Sequence, residues 1–187
     1  MKKRTIGILA ILAAAGASFF ALARGAPPLQ TAPVFTDTPS PIAAAPSQPC
    51  AYTWAYENLP DITAELQAAI QKILPEAEAR ATAFGEDCVA QDGSATFSAM
   101  ETDFYIRVLV TDLNDDVALG NLIEQLLPMI DQFPRERLLG PNDGFVEFTF
   151  FLLGDAQRVV RVPIPLGRQL REQGLRGAEL LQALETP

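Results

Sequence analysis

Four carboxylates crowd one stretch of this 187-residue chain: Glu86, Asp87, Glu101 and Asp103. A pair of carboxyl groups at fixed separation is the machinery of glycoside hydrolysis, one acting as acid and the other as base or nucleophile. That chemistry requires a cleft to hold the sugar. Without one, such residues are solvated or paired with arginine, and Arg158, Arg161, Arg168, Arg171 and Arg176 are candidate partners from the C-terminal part. The same arginines are candidates for an anionic ligand.

Other chemistry fails on its residue types. Asp112-Leu-Asn114-Asp-Asp116 resembles the opening of a calcium loop, with oxygen side chains at positions one, three and five. Position six is Val117 rather than glycine and position twelve is Ile123 rather than glutamate. These residues stand where a helix begins, so capping and dipole stabilisation are the expected role. The chain has no histidine, which removes the commonest general base and metal ligand. Ser94 and Ser98 therefore lack an activating base, and no G-x-S-x-G elbow or glycine-rich phosphate loop occurs. No catalytic residue, metal or cofactor is expected. The formal charge of −9 becomes −12 without Lys2, Lys3 and Arg4, a balance that opposes nucleic acid and anionic lipid.

The two cysteines, Cys50 and Cys88, are best read through the N-terminus. Lys2, Lys3 and Arg4 precede the uncharged run Ile6–Ala23, which ends in the small-x-small site Ala21-Leu22-Ala23. This is the pattern of an export signal. Its eighteen residues also reach the roughly 17–25 needed to span a bilayer. Cleavage after Ala23 frees the product; retention leaves it anchored with the basic end in the cytoplasm. Residues 24–49 hold seven prolines among Ala, Thr and Ser, the composition of an extended, semi-rigid and disordered linker. Outside the cell, two cysteines predict one disulfide, Cys50–Cys88. A reactive thiol or a metal pair are the other possibilities.

Residues 50–187 remain for one α+β domain. Asp61–Leu74 carries Ile62, Leu66, Ala69, Ile70, Ile73 and Leu74 at helical spacing, with Glu65, Gln67 and Gln71 facing away. Glu76–Cys88 alternates alanine with polar residues and is read as a strand, although its composition also suits helix. Phe104, Ile106, Val108 and Val110 define a second strand. Leu119, Leu122, Ile123, Leu126, Leu127 and Ile130 form the stripe of a second helix. A hairpin follows, with Val146, Phe148 and Phe150 turning at Gly154-Asp155 into Val160, Val162 and Ile164. Leu166–Leu184 is a final helical segment broken near Gly174 and Gly177. Two helix-hairpin (αββ) units plus a C-terminal helix predict a four-stranded, mainly antiparallel sheet with helices packed on it.

The second face of that sheet is unusually apolar. Tyr105, Leu109, Phe145, Phe151 and Val159 project there beside Arg107, Glu147, Thr149 and Arg161. Either the C-terminal helix crosses over to cover it, which is the expectation, or it meets a partner.

The segments Ala83-Phe-Gly-Glu-Asp-Cys88 and Ala99-Met-Glu-Thr-Asp-Phe-Tyr105 resemble stretches of an uncharacterised exported bacterial protein family without assigned function, over about residues 50–184. The helix-hairpin order is also similar to BON-type αββ modules of bacterial envelopes, a likeness of fold only. Together these readings predict an exported or membrane-tethered, non-catalytic binding domain in the envelope or outside the cell. Its partner is an unidentified protein or envelope component, contacted through Tyr105, Leu109, Phe145, Phe151 and Val159. The alternative is a carboxylate-dependent hydrolase of an extracellular polysaccharide, built on Glu101 and Asp103.

Overall fold

The computed structural model describes residues 50–186; the basic leader, the apolar run and the proline-rich segment lie outside them. Five strands and four helices follow in the order β1 (Ala51–Asn58), α1 (Pro60–Gln71), β2 (Glu78–Val89), β3 (Ala95–Leu109), α2 (Asp116–Ile130), β4 (Asn142–Phe151), β5 (Gln157–Pro163), α3 (Ile164–Glu172) and α4 (Gly177–Glu185). The sheet runs β1-β2-β3-β4-β5. All neighbours are antiparallel except β3 and β4, which are parallel.

The α+β class holds, but the sheet is five-stranded and mixed rather than four-stranded and mainly antiparallel. The additional strand is β1, in which Tyr52, Trp54 and Tyr56 alternate with smaller residues. The parallel join follows from α2, because a helix between β3 and β4 returns the chain to the end where β3 began. The two αββ segments therefore do not superpose by translation: β4 runs opposite to β2. The similar hexapeptides Ile70-Gln-Lys-Ile-Leu-Pro75 and Ile123-Glu-Gln-Leu-Leu-Pro128, one from each segment, also differ in placement. Pro75 lies beyond the end of α1, whereas Pro128 sits inside α2.

One face of the sheet carries the core. Ala79 and Ala81 of β2, Phe104, Ile106 and Val108 of β3, Val146, Phe148 and Phe150 of β4, and Val160 and Val162 of β5 are all buried. Alanine suits β2 because α1 lies close upon it. Thr63 and Gln67 of α1 bond directly to the backbone of β2 and of the residue before it, with the Ala81 N–H donating to Thr63 Oγ1 at 2.9 Å and Gln67 Nε2 donating to the Ala77 carbonyl at 2.8 Å. Gln67, expected to face away, thus replaces a neighbouring strand beyond the end of β1.

Helix α2 begins at Asp115, whose carboxylate accepts the Ala118 N–H at 2.9 Å, and Asp112 accepts the Asn114 N–H at 2.8 Å. The acidic run is a capping turn, as its position implies. Helices α3 and α4 lie on the same side as α1 and α2, adding Ile164, Leu170, Leu180, Leu181 and Leu184 to the single core. The expected crossover of the C-terminal helix is therefore overturned. The reason is local. Gly120 of α2 and Gly177 at the start of α4 let the two backbones meet, and a Cβ at position 120 would occupy the place of the Gly177 carbonyl.

Candidate functional site

With all four helices on one side, the other face of the sheet is left open by the described residues. Register assembles it in rows. Arg80, Tyr105, Glu147 and Arg161 stand across β2–β5; Glu78, Arg107, Thr149 and Val159 form the next row, and Leu109, Phe151 and Gln157 the third. Phe145 lies opposite Pro163 at the far side. All five residues expected to project outward are on this face. Leu109 and Val159 are 39% and 47% exposed, while Tyr105, Phe145 and Phe151 are half-buried.

The half-burial comes from guanidinium groups rather than from a helix. Arg80 lies 3.9 Å from the centroid of Tyr105, Arg161 lies 4.3 Å from that of Phe145, and Arg107 lies 5.1 Å from that of Phe151. Each contact places a cation over the negative face of a ring. Tyr105 and Phe145 meet edge to face at 5.8 Å. Arg161 is held over its ring by Glu147 at 2.7 Å. The centre of the open face is thus a lattice of rings lidded by arginine.

Toward β1 the pattern changes. Trp54 stacks on Phe84 with centroids 5.3 Å apart, and Tyr56 packs against the same ring at a tilt with centroids 5.1 Å apart. Tyr52, Trp54 and Tyr56 remain 70%, 63% and 63% exposed. Tyr52, Trp54 and Tyr56 were missed from sequence because β1 was not read as a strand; Phe84 lies on the strand read over Glu76–Cys88 but was not singled out. The signal was present in Tyr52-x-Trp54-x-Tyr56, whose alternation is that of a strand with one apolar face.

Asp103 and Thr82, opposite one another on β3 and β2, separate the two aromatic groups. Asp103 is only 1% exposed and accepts one hydrogen bond, from the Phe145 N–H at 3.2 Å. Burial pushes its carboxyl up to about 6, and the charge of Glu101 adds to the effect. Gly144 makes the space, since a Cβ there would strike the Thr102 carbonyl and the Asp103 carboxylate. The Thr82 hydroxyl is buried without a hydrogen-bond partner among the described residues. Burial also raises Tyr105, helped by the neighbouring Asp103 charge.

The acidic residues do not converge. Glu86 and Glu101 stand on the open face around Phe84, strand alternation turns Asp87 to the other side, and Asp103 lies beneath the surface. Nor do the C-terminal arginines serve them. Arg158 pairs with Asp116 and Glu185, Arg161 with Glu147, Arg168 and Arg171 with Asp131, and Arg176 with Glu124. A hollow of about 170 Å³ on the open face is lined by Glu78, Ala79, Arg80, Tyr105 and Arg107. Another of about 200 Å³, under the α2–β4 loop, is bordered by Asp131 and Arg168, which neutralise each other. Both fall below the roughly 300–1,000 Å³ of small-molecule sites, and the wider hollows of about 450 and 510 Å³ are shallow ones over the Arg171–Asp131 and Arg158–Asp116 ion pairs. Among the described residues no group of three or more His, Cys, Asp or Glu could hold a metal ion.

The Cys50–Cys88 disulfide is formed, with Cα atoms 5.2 Å apart, and it ties the start of β1 to the end of β2. It fits an oxidising compartment. No described helix is long and apolar enough to cross a membrane. No match to the chain was found among protein-family models, curated proteins or solved structures.

Proposed function

We propose that this protein is an exported, non-catalytic binding domain that presents the open face of its sheet to a protein or envelope partner. The observation that carries this reading is the uncovered face itself, where Tyr105, Phe145 and Phe151 lie under arginines beside the exposed Leu109 and Val159. Aromatic residues and arginine are the types enriched where proteins meet, because they combine large contact area with directional polar bonds. In this reading the leader exports the chain, residues 24–49 hold the domain away from the surface it came through, and the disulfide stabilises it there.

The hydrolase alternative gains no support. An acid must reach the glycosidic oxygen, and Asp103 has almost no accessible surface. The test is site-specific photocrosslinking in the full chain within intact producing cells. Benzophenone side chains are placed at Leu109 and Val159 on the open face and at Gln125 on the exposed side of α2. A discrete adduct from the first two and none from the third is expected. Equal labelling from all three positions, or none from any, sinks the proposal.

A further inference from the structure

The edge strand β1 has an occupant that its own sequence specifies. We infer that β1 pairs with β1 of a second copy of this chain, antiparallel about a two-fold axis at Trp54, giving a continuous ten-stranded sheet. This inference stands on the strand alone and does not depend on the open face binding a partner.

An exposed strand edge offers unpaired N–H and C=O groups, and monomeric proteins blunt such edges with proline, charge, bulges or a covering element. The other edge is blunted in this way. β5 carries Arg158 and Arg161, ends in Pro163 and passes directly into α3. β1 spans eight residues and contains no proline, no basic residue and no register shift against β2. It instead displays Tyr52, Trp54 and Tyr56, the three most exposed aromatic side chains of the described residues, all on one face.

Register decides which occupant fits. Directly opposite residues in an antiparallel pair point to the same side of the sheet. Centring the axis on Trp54 therefore places Trp54 opposite Trp54 of the second copy, and Tyr52 opposite its Tyr56, twice. On the other side of the strand, Ala51 meets Glu57 and Thr53 meets Ala55. No like charges oppose one another, and every aromatic gains an aromatic neighbour. A shift by one residue sets rings against Ala, Thr and Glu57 and loses this match. Because β5 is blunted, the association closes at two copies instead of propagating, as a two-fold contact does.

The chain contains a single tryptophan, so its fluorescence reports on this axis alone. The full chain, in a mild detergent that keeps the leader in solution, is examined by sedimentation equilibrium and by acrylamide quenching across the micromolar range. The expected result is a doubling of mass as concentration rises, with blue-shifted Trp54 emission and reduced quenching over the same range. Trp54→Lys, which opposes two cations at the axis, should raise the dissociation constant at least about tenfold, equivalent to ~1.4 kcal/mol. Trp54→Phe should largely retain the dimer. The Cys50–Cys88 disulfide and the thermal transition of each variant confirm folding. A monomer throughout overturns the inference. So does a dimer whose Trp54 emission does not change or that Trp54→Lys leaves intact, since association then uses another surface. Protection of Trp54 in a monomer also overturns it and assigns the edge to residues 24–49.

Discussion

The same strands build two unlike faces. Toward the helices, alternate residues at the centre of β2 to β5 are Ala, Val, Ile and Phe, buried in one core with side chains from α1, α2, α3 and α4. Away from them, the intervening residues are Tyr, Phe, Arg, Glu and Thr, half-buried at the centre and bare at the β1 edge. The covered face gains its stability from apolar area removed from water. The open face uses guanidinium lids, one ion pair between Arg161 and Glu147, and the disulfide that fixes β1. Burial is thus supplied by different chemistry on the two sides. Among the described residues, the aromatic side chains that are more than half exposed, Tyr52, Trp54 and Tyr56, all lie on the open side.

The sharpest test of this contrast is Phe148→Ala on the covered face against Val159→Ala on the open one. The first should cost about 3–5 kcal/mol in chemical denaturation because a fully buried ring leaves a cavity. The second should cost less than ~1 kcal/mol. Equal losses would erase the distinction between the faces.

The open side's covalent substitute comes next. Replacing Cys50 and Cys88 together by serine removes a cross-link over 38 residues, worth about 3–4 kcal/mol on chain-entropy grounds. Because no described helix covers β1, hydrogen exchange should then accelerate in Ala51–Asn58 well before it does in β3 or β4. Uniform acceleration would mean that β1 is held by something other than the disulfide and its pairing with β2.

Asp103 is the one acid of the open face that is buried, and its test is a pH profile. Its folded carboxyl titrates near 6, while the unfolded group titrates near ~3.9. Between these values the native state binds more protons than the unfolded state, so this group's contribution falls as pH rises through the interval and stays low above it. Asp103→Asn preserves the acceptor for the Phe145 N–H. It should stabilise the protein by about 2–3 kcal/mol at pH 7, with the gain vanishing near pH 4. A gain independent of pH would show that ionisation is not the cause.

The smallest effect belongs to the lids. Arg161→Ala removes the cation over Phe145 and the partner of Glu147, and should cost about 0.5–1 kcal/mol, read as a shift in the thermal midpoint. A loss as large as that from Phe148→Ala would mean that the open face is held as a second core.

Much of this was legible in the residues. Alternation placed Phe104, Ile106 and Val108 on one face of a strand and Tyr105 and Leu109 on the other. The 3.6-residue stripe identified α2, and oxygen side chains before it marked its cap. β1 was missed because its inward residues Ala51, Thr53, Ala55 and Glu57 carry no apolar pattern of their own, and no described helix covers this edge. Gln67 was read as solvent-facing because helical periodicity ranks it with polar residues. Its partner is backbone, which side-chain pattern does not encode. The arginine partners were misassigned because opposite charge by itself does not say which acids the packed elements bring within reach.

Local residue chemistry by itself determined the α+β class, the polarity of the faces of β3, β4 and β5, the expectation that the only two cysteines pair, and the absence of histidine chemistry. These depend on backbone periodicity and on residue inventory, both of which are written along the chain. Tertiary structure alone decided that β3 and β4 run parallel, that Gly120 and Gly177 draw α4 against α2 on the already covered side, and that Asp103 is sealed beneath an otherwise open face. Each of those outcomes depends on contacts between residues far apart in sequence, where packing of whole elements selects among arrangements that local preferences leave equally available.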